Sequence, residues 1–282
     1  MTTLGVVFRP QNPPERLRAV ALAADEAGLE ELWLWEDCFL ESGIATAAAA
    51  LAFTSRLRVG VGLLPVPFRN VAVLAMEAAT LHRLFPARAV LAVGHGVQDW
   101  MAQVGARVES PLTLLREHLM ALKALLAGST VTVNGRYVRL DGVALDWPPL
   151  AAAPVFAGAT GPKTLTLSGE LADGTVLTGG TSPAEVRAAR ELIGSADHHV
   201  VVYLQAATGA GAEARMRAEA QRWGNADRPE VSVAGDAAAV AEAVGTYAAA
   251  GADTVVLQPT ADEPDLEGFV RFVAQEVRPL VP

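Results

Sequence analysis

Cysteine occurs once in these 282 residues, at Cys38, so no internal disulfide is available and stability has to come from a core. Lysine is almost as scarce: Lys123 and Lys163 are the two present, and arginine supplies the other cations. The formal net charge of −9 leaves no basic surplus, which argues against general nucleic-acid binding, since that draws on cationic patches. A charged ligand would need a local basic pocket. No apolar run approaches the roughly 18 residues needed to span a membrane. Met1-Thr2-Thr3-Leu4-Gly5 lacks the basic-then-apolar order of a secretory signal. None of the five histidines pairs at the i, i+4 helical spacing of a metal site, so no metal is expected. These absences lead to the expectation of a soluble, cytoplasmic protein with neither membrane nor nucleic-acid partners.

What is present is hydrophobic residue at 51%, spread without low-complexity runs or a linker, as one domain over residues 1–282. Period-two apolar stretches alternate with amphipathic ones from end to end. Strands are predicted at Leu4–Phe8, Glu31–Trp35, Leu57–Leu63, Ala89–Val93, Val155–Ala157, Gly174–Leu177, His199–Gln205 and Thr254–Leu257, with helices between them. A β-hairpin near residues 129–141 interrupts the series, with Asn134-Gly135 as its two-residue turn. Eight βα units in about this length predict a (β/α)8 TIM barrel, with a doubly wound open sheet as the alternative. In such a barrel the active site lies just beyond the carboxyl ends of the strands.

Those strand ends have unusual chemistry. The second leads into Trp35-Glu36-Asp37-Cys38, adjacent acids that point in different directions. The third runs Gly60-Val61-Gly62-Leu63-Leu64, whose glycines predict a bulge, close approach to a planar ligand, or simple barrel curvature. Arg69-Asn70 then precede a helix and are candidates to hold an anion. The fourth strand breaks into Gly94-His95-Gly96, which reads either as a ligand-contacting rim or as a tight turn with an incidental histidine. After the fifth, Gly158-Ala159-Thr160-Gly161-Pro162-Lys163 places glycines before a helix start, where backbone N–H groups, the helix dipole and Lys163 can meet a phosphate. The sixth ends at Thr178-Gly179-Gly180. Trp35, Leu63, Leu64, Trp100 and Met101 read either as an apolar mouth or as plain packing residues, with packing the preferred reading for Met101.

Four stretches carry a resemblance: Leu4-Gly5-Val6-Val7; Gly28 to Trp33 leading into Glu36-Asp37; Leu81 to Arg88; and Leu171-Ala172-Asp173-Gly174. In order and spacing they resemble the bacterial luciferase-like flavin/deazaflavin superfamily, in particular its branch similar to methylenetetrahydromethanopterin reductase, which uses the deazaflavin coenzyme F-420. The resemblance implies a barrel with the tricyclic ring across its mouth and the phosphate held by loops on the carboxyl side. It places Glu36 where relatives often have Asp and Asp37 where a His is frequent. It implies a non-prolyl cis peptide at Gly62-Leu63 behind the ring, Gly94-His95-Gly96 near the ring, and Gly158, Ala159 and Gly161 at the phosphate. Pro162, and Ala87 where relatives usually have Gly, depart from the pattern.

The chemistry so implied is hydride transfer between coenzyme F-420 and a small organic substrate, with Glu36, Asp37 and His95 as the candidate proton donors. The cofactor-binding set is then Glu36, Gly62, Leu63, Leu64, Gly94, His95, Gly96, Gly158, Ala159, Gly161, Lys163 and Thr178. An FMN-dependent monooxygenase of the same fold and a non-catalytic flavin-binding barrel are the alternatives, and relatives suggest a homodimer.

Overall fold

The computed structural model describes residues 2–281. In chain order its strands are β1 (Thr3–Val7), β2 (Glu31–Leu34), β3 (Arg58–Pro65), β4 (Ala89–Gly94), β5 (Val131–Asn134), β6 (Arg139–Val143), β7 (Val155–Gly158), β8 (Gly174–Leu177), β9 (His199–Ala207), β10 (Ser232–Ala234) and β11 (Thr254–Pro259). The α-helices are α1 (Leu17–Ala27), α2 (Gly43–Phe53), α3 (Val71–Leu84), α4 (Gln98–Gln103), α5 (Pro111–Leu126), α6 (Pro162–Leu171), α7 (Pro183–Ile193), α8 (Ala212–Arg222), α9 (Ala237–Ala249) and α10 (Leu266–Phe272). Parallel pairing runs β1-β2-β3-β4-β7-β8-β9-β11 and returns to β1, closing an eight-stranded barrel. β5 and β6 stand apart as the antiparallel hairpin.

Two side-chain layers follow from the strand alternation. Residues facing outward pack with the helices into a large core that includes Leu4, Leu32, Leu64, Leu91 and Leu257. Those facing inward, among them Val7, Trp33, Val90, Phe156, Tyr203 and Val256, fill the barrel. Trp33 is the largest of the fully buried side chains. The backbone is stripped around it: a Cβ on Gly60 would lie 2.5 Å from its ring, and one on Gly5 2.9 Å. Gly60 thus serves the packing of an indole rather than a bulge or a bound ring. Trp33 Nε1 donates to Glu31 at 2.7 Å, and Arg58 meets the same carboxylate at 2.9 Å. Burial raises the Glu31 pKa, against the opposing pull of Arg58 and of the Trp33 hydrogen bond.

The hairpin differs from expectation at its turn. Asn134 pairs with Arg139, so the loop has four residues, Gly135 to Val138, not two. The reason lies outside the hairpin: the Glu117 carboxylate on α5 accepts the backbone N–H groups of Arg136, Tyr137 and Val138 at 2.8–2.9 Å. Two elements were not anticipated, the helix α4 and the short strand β10, which extends the carboxyl half of β9 in parallel. At Ala87 the backbone has φ 61°, the one left-handed non-glycine among the described residues.

Candidate active site

At the carboxyl end of the barrel the strands open onto a cavity of about 690 Å³. That size lies within the range of small-molecule and cofactor sites, roughly 300–1,000 Å³. Its floor is formed by Trp35, Gly62, Leu63 and Tyr203. The Tyr203 hydroxyl donates to the Gly62 carbonyl at 3.2 Å, and its ring stands 6.0 Å from that of Trp35. The peptide bonds Gly62-Leu63 and Cys38-Phe39 are cis, and the register between β3 and β4 shifts between Val61 and Leu64.

Nine of the thirteen candidate catalytic and cofactor-binding residues line this cavity: Glu36, Asp37, Gly62, Leu63, His95, Gly96, Gly158, Ala159 and Thr178. Four others lie elsewhere. Leu64 is fully buried in the core outside the barrel, because β3 alternation turns it away from Leu63. Gly94 lies beneath Leu63, where a Cβ would stand 2.5 Å from a Leu63 methyl. Gly161 caps α6 from an exposed position, and Lys163 is exposed and off the cavity wall. Met101 is fully buried, in line with its reading as a packing residue, whereas Trp100 lines the cavity.

The acids at the end of β2 take different roles. Both Glu36 oxygens are engaged: Arg69 donates at 2.5 and 2.7 Å in a two-pronged ion pair, and the Gly43 backbone N–H adds a bond of 2.7 Å at the start of α2. Arg69 also contacts Glu77 at 3.3 Å, while Asn70 caps α3 through the Ala72 N–H. The anion that Arg69-Asn70 was expected to hold is therefore the protein's own Glu36, and Asn70 holds none. Asp37 accepts one bond from Trp35 Nε1 at 2.9 Å. Burial raises its pKa from the ordinary carboxyl value, against the Trp35 hydrogen bond, the nearby Gln11 amide and the charge of Arg9.

Across the mouth, His95 Nε2 meets Thr164 Oγ1 at 3.1 Å, and its Nδ1 is buried without a partner. Burial lowers its pKa from the ordinary imidazole value, which favours the neutral ring. The first turn of α6 lies beside it. Thr164 N–H is satisfied by the Gly161 carbonyl, and Pro162 has no N–H to satisfy.

One wall was not anticipated at all. Arg9 and Gln11 from the loop after β1, Gln205 from β9 and Gln258 from β11 line the cavity together with Arg222 and Trp223. Arg9 is 1% exposed; its Nη1 donates to Glu219 at 2.6 Å and to the Pro259 carbonyl at 3.0 Å, while Nη2 is buried with no partner. Glu219 also accepts from Trp223 Nε1 at 2.8 Å and from the Ala261 N–H at 3.1 Å. Against the penalty of burial these donors hold the Glu219 pKa below the ordinary range. Strand-end position is the signal that could have found this wall: Arg9 lies two residues beyond Val7, and Gln205 two beyond Tyr203, on the inward-facing alternation.

The chain can be compared with known proteins on this geometry. It is 29% identical over 175 residues to a 5,10-methylenetetrahydromethanopterin reductase of Methanolobus tindarius, covering 62% of this chain and 53% of that protein. To an F420-dependent glucose-6-phosphate dehydrogenase of Nocardia farcinica it is 30% identical over 181 residues, covering 59% and 54%. The chain thus spans about half the length of the curated relatives it matches. Among solved structures, an F420-dependent secondary alcohol dehydrogenase in complex with an F420-acetone adduct superposes with a TM-score of 0.86 at 18% identity, over 100% of this chain and 99% of that one. The oxygenating constituent of 3,6-diketocamphane monooxygenase from Pseudomonas putida, in complex with FMN, superposes with a TM-score of 0.81 at 15% identity, over 100% and 99%. At those identities the superpositions show the fold alone. Residues 2–253 match the family described as luciferase-like monooxygenase, and it is to this family that the chain belongs.

Proposed function

We propose that the protein is an oxidoreductase that binds coenzyme F-420 in the mouth cavity and exchanges a hydride between it and a small organic substrate. The observation that carries this reading is the cavity itself: about 690 Å³ above an apolar floor of Trp35, Leu63 and Tyr203, opening beside the start of α6. Three buried polar atoms beside it, Arg9 Nη2, Gln205 Oε1 and His95 Nδ1, lack protein partners, as a site built for a polar-edged ring would have. The name of a curated relative, an F420-dependent glucose-6-phosphate dehydrogenase, supports the same coenzyme.

A deazaflavin, when bound, supplies a two-electron hydride carrier that reacts poorly with oxygen. The chain supplies the rest. Gly62 and Leu63 would support one ring face, held in place from below by Tyr203, and Gly158, Ala159 and Thr160 would lie toward the phosphate-bearing tail. Trp35, Leu63 and Trp100 exclude water from the ring, which sharpens every electrostatic interaction there. Asp37 is the proton donor: its raised pKa keeps the proton at higher pH than an ordinary carboxyl would. Glu36, tied to Arg69 and Gly43, braces the loop after β2 instead. His95 is a hydrogen-bonding group at the rim.

An FMN-binding reading is favoured by the fold shared with an FMN complex. Dissociation constants measured by fluorescence for F-420 and FMN separately decide between them. The expected result is micromolar or tighter F-420 binding with FMN much weaker, and tight FMN binding without F-420 binding would overturn the assignment. Failure to bind either would leave a barrel without this coenzyme chemistry.

A further inference from the structure

We propose that Arg9, Gln205 and Gln258 form a recognition subsite for an uncharged ligand edge in which a carbonyl oxygen stands beside an N–H or O–H group. Arg9 lies just beyond β1, Gln205 on β9 and Gln258 on β11, three strands that adjoin in the order β9-β11-β1. Gln205 and Gln258 are direct partners in the parallel ladder between β9 and β11, and Arg9 Nη1 bonds the carbonyl of Pro259, the residue after Gln258. All three are at least 96% buried yet line the cavity.

Two unmet groups define the ligand. Arg9 Nη2 carries two N–H donors with no acceptor, and Gln205 Oε1 is an acceptor with no donor. A buried group left in that state costs roughly 1–3 kcal/mol, and one ligand edge that both accepts and donates would satisfy the pair. Charge narrows the choice further. The Arg9 cation is already matched by the Glu219 carboxylate at 2.6 Å, and Arg222, the other cation lining the cavity, is solvent-exposed, so a carboxylate buried against Arg9 and Gln205 would find no unspent cation there. An ammonium would face the guanidinium directly. An amide-type edge meets both partners without bringing charge.

Such an edge has two sources. It belongs to many organic substrates, and it is also present in the pyrimidine ring of a flavin or deazaflavin. The subsite rests on the reading that the cavity is a ligand site but does not depend on which coenzyme fills it.

The test uses the whole protein and three probes of one size, benzamide, benzoate and benzylamine, followed by ligand-observed NMR. Benzamide is expected to bind at least fivefold tighter than either ion. Gln205→Leu, which keeps the volume, is expected to weaken benzamide about fivefold, the worth of one hydrogen bond. Arg9→Lys, which leaves a cation for Glu219 but removes Nη2, is expected to do the same. Equal binding of the three probes, or benzamide affinity unchanged in both folded variants, would overturn the proposal. Repeating the titration with saturating F-420 separates the sources: retained benzamide binding assigns the subsite to the substrate, and competition assigns it to the coenzyme ring. If benzamide binds selectively while F-420 does not bind at all, the subsite stands and the coenzyme assignment falls.

Discussion

At the scale of single residues, the protein keeps several groups in states that water would not favour. Asp37 is one. Its raised pKa means that the donor is protonated at low pH and lost as pH rises, so kcat/KM for reduction should fall on the alkaline limb, and Asp37→Asn should lower kcat by about 10²-fold and abolish that limb in a pH–rate profile. Glu41 is another: burial, with Glu15 nearby, raises its pKa to about 7. Folding therefore favours its protonated form. The stability it contributes is whole below its ordinary value of 4.5 and drains away as pH rises toward about 7. Melting temperatures taken at pH 5 and pH 8 should diverge less for Glu41→Gln than for the parent protein. Ala87 holds a left-handed φ of 61° that glycine adopts freely, so Ala87→Gly should add about 0.5–1 kcal/mol and raise Tm by about 1–2 °C in a calorimetric scan. Legibility was uneven at this scale. Asp37, His95 and Gly158 stood out because glycines and paired acids at strand ends are rare patterns. Arg9 and Gln205 did not, because a lone arginine or glutamine beside a strand reads as surface until the neighbouring strands close around it.

At the scale of elements, alternation carried most of the information. β1 through β4 and their helices were readable because Val, Leu and Ala repeat at period two or near 3.6 and because proline and glycine punctuate them. β10 escaped notice since three residues give no period, and α4 because Gln98-Asp99-Trp100-Met101 resembles a loop in composition. The hairpin was found but its turn was misplaced, for a reason no local pattern contains: the turn's N–H groups are gathered by Glu117 from another element. Burial raises and these three backbone donors lower the Glu117 pKa, with the net shift downward. Glu117→Leu should consequently cost about 1–2 kcal/mol and speed hydrogen exchange at the amides of Arg136, Tyr137 and Val138, while leaving the amides of β7 and β8 protected.

At the scale of the molecule, the closed barrel places every lining strand under the constraint of its two neighbours, so a ligand in the mouth is felt by the whole fold. With F-420 present at 100 times its dissociation constant, binding should add about 2.7 kcal/mol to stability, a rise in Tm of about 4–5 °C for a chain of this length. A calorimetric scan showing no shift would contradict binding to the native state. The eight-fold repeat was visible in the sequence because it is built from many weak signals that agree, whereas the chemistry of the mouth depends on which side chains meet across the barrel. Leu63 illustrates the difference. One of its methyls fills the space that a Cβ at either Gly94 or Gly158 would need, 2.5 and 2.2 Å away. The three positions therefore share a single allotment of volume contributed by three strands. Either glycine can gain a methyl only if the Leu63 side chain shifts, and a smaller residue at 63 would open a path to alanine at 158. Change along this floor must proceed through ordered, compensating pairs, with each step's fitness set by the one before it.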